Sequence, residues 1–149
     1  MGITIRQAEE RDVEAIARLL GEVEAYYGGD SEAADETQVH VALFAEPAGA
    51  VVLLAVDGRD VVGLASFSRL WPAAGADTSM YLKELFVAER ARRQGVGEQL
   101  LDAVKEAAAE AGCSRLEWTG DTDNPTALAF YEKLGVPVHQ GKVFYRLPL

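Results

Sequence analysis

The apolar residues of this chain change their repeat partway along it, and that change constrains the fold more than any other feature. Val13, Ile16, Leu19, Leu20 and Val23 recur at the spacing of one buried helix stripe. From Ala50 that spacing gives way to an apolar run, Ala50 to Val56, rich in β-branched residues. The pair Asp57-Gly58 then signals a turn, and a second strand-like run follows from Val61 to Ser68. A hairpin set among helix-period segments places the chain in the α/β class with a mixed sheet.

The rest of the chain fits around that hairpin. Ile3 and Ile5 alternate with Thr4 and Arg6 as a first strand, and Asp12 is positioned to cap the helix that follows. The polar, acidic stretch from Gly28 to Glu36 reads as a mobile loop, and a short second helix near Gln38 to Ala45 is stopped by Pro47. After a loop from Trp71 to Asp77, Ser79 to Val87 reads as a strand. A long helix from about Gly95 to Ala111 carries the stripe Val96, Leu100, Leu101 and Val104 and ends at Gly112. Ser114 to Thr119 is a short strand, and Pro125 opens a helix through Leu128, Tyr131 and Leu134 that ends at Gly135. Val138 and then Val143 to Leu147 supply final strands around a Gln140-Gly141 turn. With 149 residues and no repeat or linker, a single domain over 1–149 is expected.

Charge removes several function classes. Fourteen Lys and Arg stand against 24 Asp and Glu, a formal charge of -10, which disfavours phosphate backbones and anionic membranes. Cys113 is the only cysteine, so no intrachain disulfide forms. His40 and His139 lack metal-ligand spacing, and no metal is expected. Ala48 to Val56, the longest apolar stretch, falls far short of the roughly 20 residues of a membrane span. The first residues carry no signal-peptide core, and Arg6 stands where myristoylation wants Ser or Thr. The chain is therefore expected in the cytoplasm.

Two motifs carry chemistry. Arg92-Arg93-Gln94-Gly95-Val96-Gly97 lies between a predicted strand and the long helix. Its paired glycines let the backbone turn tightly and expose N–H groups at the positive end of the helix dipole, a cradle for pyrophosphate with Arg92 and Arg93 at its rim. A plain glycine-containing helix start is the alternative. A dinucleotide fingerprint fails because Leu100 stands where the third glycine belongs, and no Gly-Lys-Ser/Thr triplet supports a P-loop. The second motif runs Asn124-Pro125-Thr126-Ala127-Leu128-Ala129-Phe130-Tyr131 and on to Leu134-Gly135.

Together these segments resemble the GNAT superfamily of acyl-CoA-dependent N-acetyltransferases, in element order over nearly the whole chain and in motif over residues 80–135. The resemblance implies a mixed, mostly antiparallel central sheet of six to seven strands flanked by about four helices, with splayed fourth and fifth strands. It implies acetyl-CoA as cosubstrate and no metal. Leu85, Phe86 and Val87 would offer backbone groups to the pantetheine arm. Arg93, Gln94, Gly95, Val96, Gly97 and Glu98 would wrap the pyrophosphate, with Arg92 beside them. Glu117 to Thr119 would lie on the strand that splays away, Asn124 would hydrogen-bond the pantetheine, and Ala127 belongs to the same cofactor motif. Tyr131 would protonate the departing thiolate.

A base is read from the strand itself. Leu82, Glu84 and Phe86 fall on one face by simple alternation, and apolar neighbours would raise the pKa of Glu84 toward that of a general base. An ion pair with a nearby Arg or Lys is the competing reading. Tyr81 and Trp118 line the acceptor pocket or serve as core aromatics. Within the superfamily, Tyr81 to Val87 and Trp71-Pro72 look most like diamine and amino-acid side-chain acetyltransferases, although Lys83 stands where that group carries a second acid. Glu22, Glu24, Asp30, Glu32, Asp35 and Glu36, with Tyr26 and Tyr27, form an acidic cluster that could attract a cationic amine or simply be solvated. The expected reaction is direct acetyl transfer to a primary amine of a small molecule: a diamine, an amino-acid side chain or an amine-bearing antibiotic. The alternatives are a protein N-terminal or lysine acetyltransferase and a non-catalytic acyl-CoA-binding module. The resemblance also allows a homodimer. Cys113, just past a helix end, is not a nucleophile in this reading, and His139 is a surface residue.

Overall fold

The computed structural model describes residues 2–149, and their contacts divide into one unit up to Trp118 and a second from Thr119 to Leu149. The first unit is built on a five-stranded sheet in the order β1-β2-β3-β4-β5: β1 Ile3–Gln7, β2 Val51–Asp57, β3 Asp60–Leu70, β4 Ser79–Val87 and β5 Arg115–Glu117. The first three pairings are antiparallel and β4–β5 is parallel, so the sheet is mixed and mostly antiparallel as expected. The β2–β3 hairpin closes where the sequence placed it, with Asp57 opposite Asp60 and Gly58 at φ +63.

Helices cover both faces of that sheet. α1 (Val13–Tyr26) and α2 (Glu36–Phe44) bury Ile16, Leu19, Val23 and Val39 against Leu54, Leu64 and Phe86. Each fully buried Leu or Ile contributes about 1.5–3 kcal/mol through water release. The opposite face carries α3 (Val96–Glu110), whose Val96, Leu100, Leu101 and Val104 form the stripe read from the sequence. Gly63 on β3 lets α3 approach: a Cβ there would stand 3.0 Å from the Phe86 carbonyl oxygen and 3.2 Å from Leu100 Cδ1. Asp35 caps α2 by accepting from the Gln38 N–H at 3.0 Å. Asp12 precedes α1 as expected, but its side chain does not cap that helix. The buried carboxylate instead accepts from the two terminal guanidinium nitrogens of Arg6 at 2.8 and 2.9 Å and from the Glu9 N–H at 2.8 Å.

In the second unit, α4 (Pro125–Lys133) is the only regular element among the described residues, bringing the α-helix count to four. It ends where expected, with Gly135 at φ +78. The final strands expected at Val138 and Val143 to Leu147 are not formed, so the sheet has five strands and not six to seven. The β-branched and aromatic residues of Val143-Phe144-Tyr145 favour a strand only where a neighbouring strand completes the ladder, and no strand of the sheet pairs with them.

Candidate active site

Strand β5 accompanies β4 for only three residues, Ser79 opposite Arg115 to Tyr81 opposite Glu117, whereas β4 continues to Val87. The ladder between β4 and β5 therefore ends at Tyr81, where β5 itself ends. The shared start is pinned by a side-chain contact: the buried Ser79 Oγ donates to Glu117 Oε1 at 2.7 Å, and Arg115 Nε donates to the same oxygen at 3.2 Å. Leu82 to Val87, including the Leu85–Val87 segment assigned to pantetheine, run beyond the last β5 partner.

The register of β4 against β3 corrects the face assigned to Glu84. Ser66 pairs with Glu84 and Phe67 with Leu82, so Lys83 is an extra residue in a β-bulge. Opposed residues share a face, and Ser66 and Phe67 are neighbours on β3, so Glu84 and Leu82 lie on opposite faces. Phe86 pairs with Leu64 and Tyr81 with Ser68. The bulge thus collects Tyr81, Glu84 and Phe86 on the α1/α2 face and sends Leu82 to the α3 face. Glu84 is half-buried there, and Lys83 is exposed.

Past β4, a short 3-10 turn at Glu89–Ala91 leads into the glycine loop. Arg93 and Gly95 both take left-handed backbone, at φ +64 and +78, which bends the loop tightly ahead of α3. Gly95 is the N-cap residue of α3 and has no side chain to cap with, so the N–H groups of the first turn, Val96 to Glu98, meet no capping side chain. Arg93, Gln94 and Glu98 are exposed and Gly97 is half-buried.

The three arginines of this approach have different fates. Arg90 is bound by Asp60 Oδ2 at 2.9 Å and Glu22 Oε1 at 2.9 Å and donates to the Val61 carbonyl at 3.1 Å. The hydrogen bond to Asp60 raises the pKa of Arg90, and the same bond holds the Asp60 carboxyl below its ordinary value. Glu22 is thereby engaged in structure, as are Asp30, which accepts from the Glu32 N–H, and the capping Asp35. The acidic cluster is in good part a set of local braces. Arg92 donates from Nε to the Val87 carbonyl at 2.9 Å and lays its guanidinium over the rings of Tyr26 and Phe86, 5.0 and 5.5 Å from their centroids. Nothing in the sequence spacing signals that contact, because Tyr26 ends a helix far away in the chain.

Asn124, Ala127 and Tyr131 lie together in the second unit. Asn124 is the N-cap of α4 and its Oδ1 accepts from the Ala127 N–H at 3.2 Å, which aligns the first turn. Tyr131 is half-buried, its ring 5.3 Å from that of Phe130. His139 is exposed and Cys113 is half-buried. Among the described residues, no group of His, Cys, Asp and Glu could hold a metal ion, and no helix is long and apolar enough to cross a membrane.

The chain belongs to the Acetyltransferase (GNAT) family, whose model matches residues 14–136. It is 29% identical over 147 residues to YhfO of Bacillus subtilis (strain 168), named as an uncharacterized N-acetyltransferase, with 97% of each chain covered. It is 36% identical over 78 residues to the L-ornithine N5-acetyltransferase NATA1 of Arabidopsis thaliana, a match covering 52% of this chain and 34% of that one. An integron cassette protein from the mobile metagenome of V. cholerae has a similar structure, with a TM-score of 0.86 at 33% identity over 99% of this chain and 93% of that one.

Proposed function

We propose that this acetyltransferase uses acetyl-CoA to acetylate a primary amine of a small molecule: a diamine, an amino-acid side chain or an amine-bearing antibiotic. The observation that carries the reading is that Leu82 to Val87 of β4 run on beyond the last β5 partner and lead, through the glycine loop, to the Gly95-capped start of α3. The residues fit the cosubstrate. A helix start without a capping side chain presents N–H donors and the positive dipole end to a pyrophosphate, and Arg93 adds a cation beside it. Arg93, Gln94, Gly95, Val96, Gly97 and Glu98 hold the pyrophosphate in this reading. The backbone of Leu85, Phe86 and Val87 takes the pantetheine arm, with Asn124 and Ala127 as further contacts.

Acetyl-CoA supplies an acetyl thioester with a thiolate leaving group. The remaining work falls to the chain. An amine acceptor is mostly ammonium at neutral pH, and Glu84 takes its proton, directly or through water, before or during attack. Backbone N–H donors on β4 stabilise the charge that develops on the carbonyl oxygen. Tyr131 gives a proton to the sulfur as the thiolate departs. The ornithine-acetylating relative supports a side-chain amine as acceptor. In this reading the protein works in the cytoplasm as a homodimer, which light scattering in solution tests directly.

The experiment is CoA-thiol release from acetyl-CoA against spermidine, L-ornithine, L-lysine, kanamycin and short peptides. Turnover on one of the small amines supports the proposal and names its acceptor class. Turnover on peptides alone moves the chain to the protein acetyltransferases, and tight acetyl-CoA binding without turnover on any amine points to a binding module.

A further inference from the structure

Among the described residues, Arg90 is saturated by Asp60 and Glu22, Arg92 is folded back onto two rings and a carbonyl, and Arg93 alone of the three makes no ion pair or ring contact. We infer that Arg92 is a positioning residue for the amine side of the reaction rather than a ligand of the cosubstrate pyrophosphate, and that Tyr26 is the surface it positions. This rests on the acetyl-transfer reading above and divides the labour within its glycine loop.

The argument is geometric. Phe86 shares its face of β4 with Glu84, two positions away, a separation of about 7 Å along a strand. The Tyr26 ring meets the Phe86 ring edge to face at 6.0 Å, and Tyr27 meets Tyr26 at 5.1 Å. The end of α1 therefore packs on Phe86, on the face of β4 that also carries the proposed base two positions away, and the acidic Gly28–Glu36 segment begins immediately after it. Arg92 is the common fastener: one guanidinium covers both rings while its Nε bonds the carbonyl of the last β4 residue, Val87. A planar cation that stacks on rings and donates in its own plane does both at once, which an ammonium does less well. Turning this guanidinium toward a pyrophosphate would surrender the Val87 bond and both ring contacts. Arg93, exposed and left-handed in the loop, has nothing to surrender.

The test compares Arg92→Ala with Arg93→Ala, measuring acetyl-CoA affinity by calorimetry and KM for the best amine of the panel. Arg92→Ala should leave acetyl-CoA affinity within about twofold and raise the amine KM about tenfold, the size expected for losing paired cation–π contacts. Arg93→Ala should do the reverse. Arg92→Lys should recover part of the amine KM. Tyr26→Leu should reproduce the Arg92→Ala effect, and the two together should add little beyond either alone. If Arg92→Ala does not fold, Arg92→Lys and Tyr26→Leu carry the same comparison. Loss of acetyl-CoA affinity equal to that of Arg93→Ala, with the amine KM unmoved, overturns the inference while leaving acetyl transfer standing. A wild-type protein that binds no acetyl-CoA overturns both.

Discussion

Tyr131 and Asp12 show how differently single residues are tested in this protein. Tyr131 is proposed to protonate a thiolate, and Phe keeps its ring and its packing beside Phe130. Tyr131→Phe should therefore lower kcat by about 10²-fold or more with acetyl-CoA affinity unchanged, read from steady-state kinetics beside calorimetry. Near-wild-type turnover removes Tyr131 as the acid. Asp12 bears on stability instead. Its carboxyl is held below the ordinary range, chiefly by the hydrogen bond from Arg6. The unfolded chain restores a value of about 3.9, so the stabilisation is complete above that pH and is lost as pH falls through the lower, folded value. Asp12→Asn should cost about 1–3 kcal/mol at neutral pH. That difference from wild type should shrink in urea titrations carried out at progressively more acidic pH, and a pH-independent difference would contradict the ion-pair account.

At the scale of elements, the glycine loop and the crossing of α3 over the sheet are both held by backbone space. Gly95 stands at φ +78, where a side chain is strained, so Gly95→Ala should destabilise by about 1 kcal/mol. In the proposed reading it also weakens acetyl-CoA binding, because the first turn of α3 no longer presents its N–H groups in the same direction. Gly63→Val tests the crossing. Its side chain would press on the Phe86 carbonyl and on Leu100, and denaturant unfolding should show a loss of about 1–3 kcal/mol from overpacking. These elements were legible in the sequence because their determinants are local: a stripe of four apolar residues, a glycine at each end of α3, and a two-residue turn in the hairpin. The bulge at Lys83 was not legible. Alternation along Met80 to Val87 is consistent with one unbroken face, and only the pairing of Ser66 and Phe67 across the ladder reveals the extra residue.

For the whole chain, the formal charge of -10 sets long-range behaviour even though Glu22, Asp30 and Asp35 are committed to local structure. A polycationic acceptor should be drawn in by that field. Its kcat/KM should fall as salt is raised from 0.01 M to 0.15 M, where the Debye length shortens from about 30 to about 8 Å. A singly charged amine should respond much less. Equal salt dependence for both would reduce the acidic surface to a role in solubility.

The sequence by itself determined the α/β class, the order of the elements through Gly135, the glycine loop ahead of α3 and the family resemblance, since each rests on short-range periodicity or on backbone freedom at a few glycines. Tertiary structure alone decided which residues meet. It set the sheet at five strands, because a strand exists only where a partner completes its ladder. It placed Tyr81 and Glu84 on one face and Leu82 on the other through a register that no single strand encodes. It also bound Arg90 to Glu22 and Arg92 to Tyr26, contacts between residues more than sixty positions apart that depend on where α1 ends in space rather than in sequence.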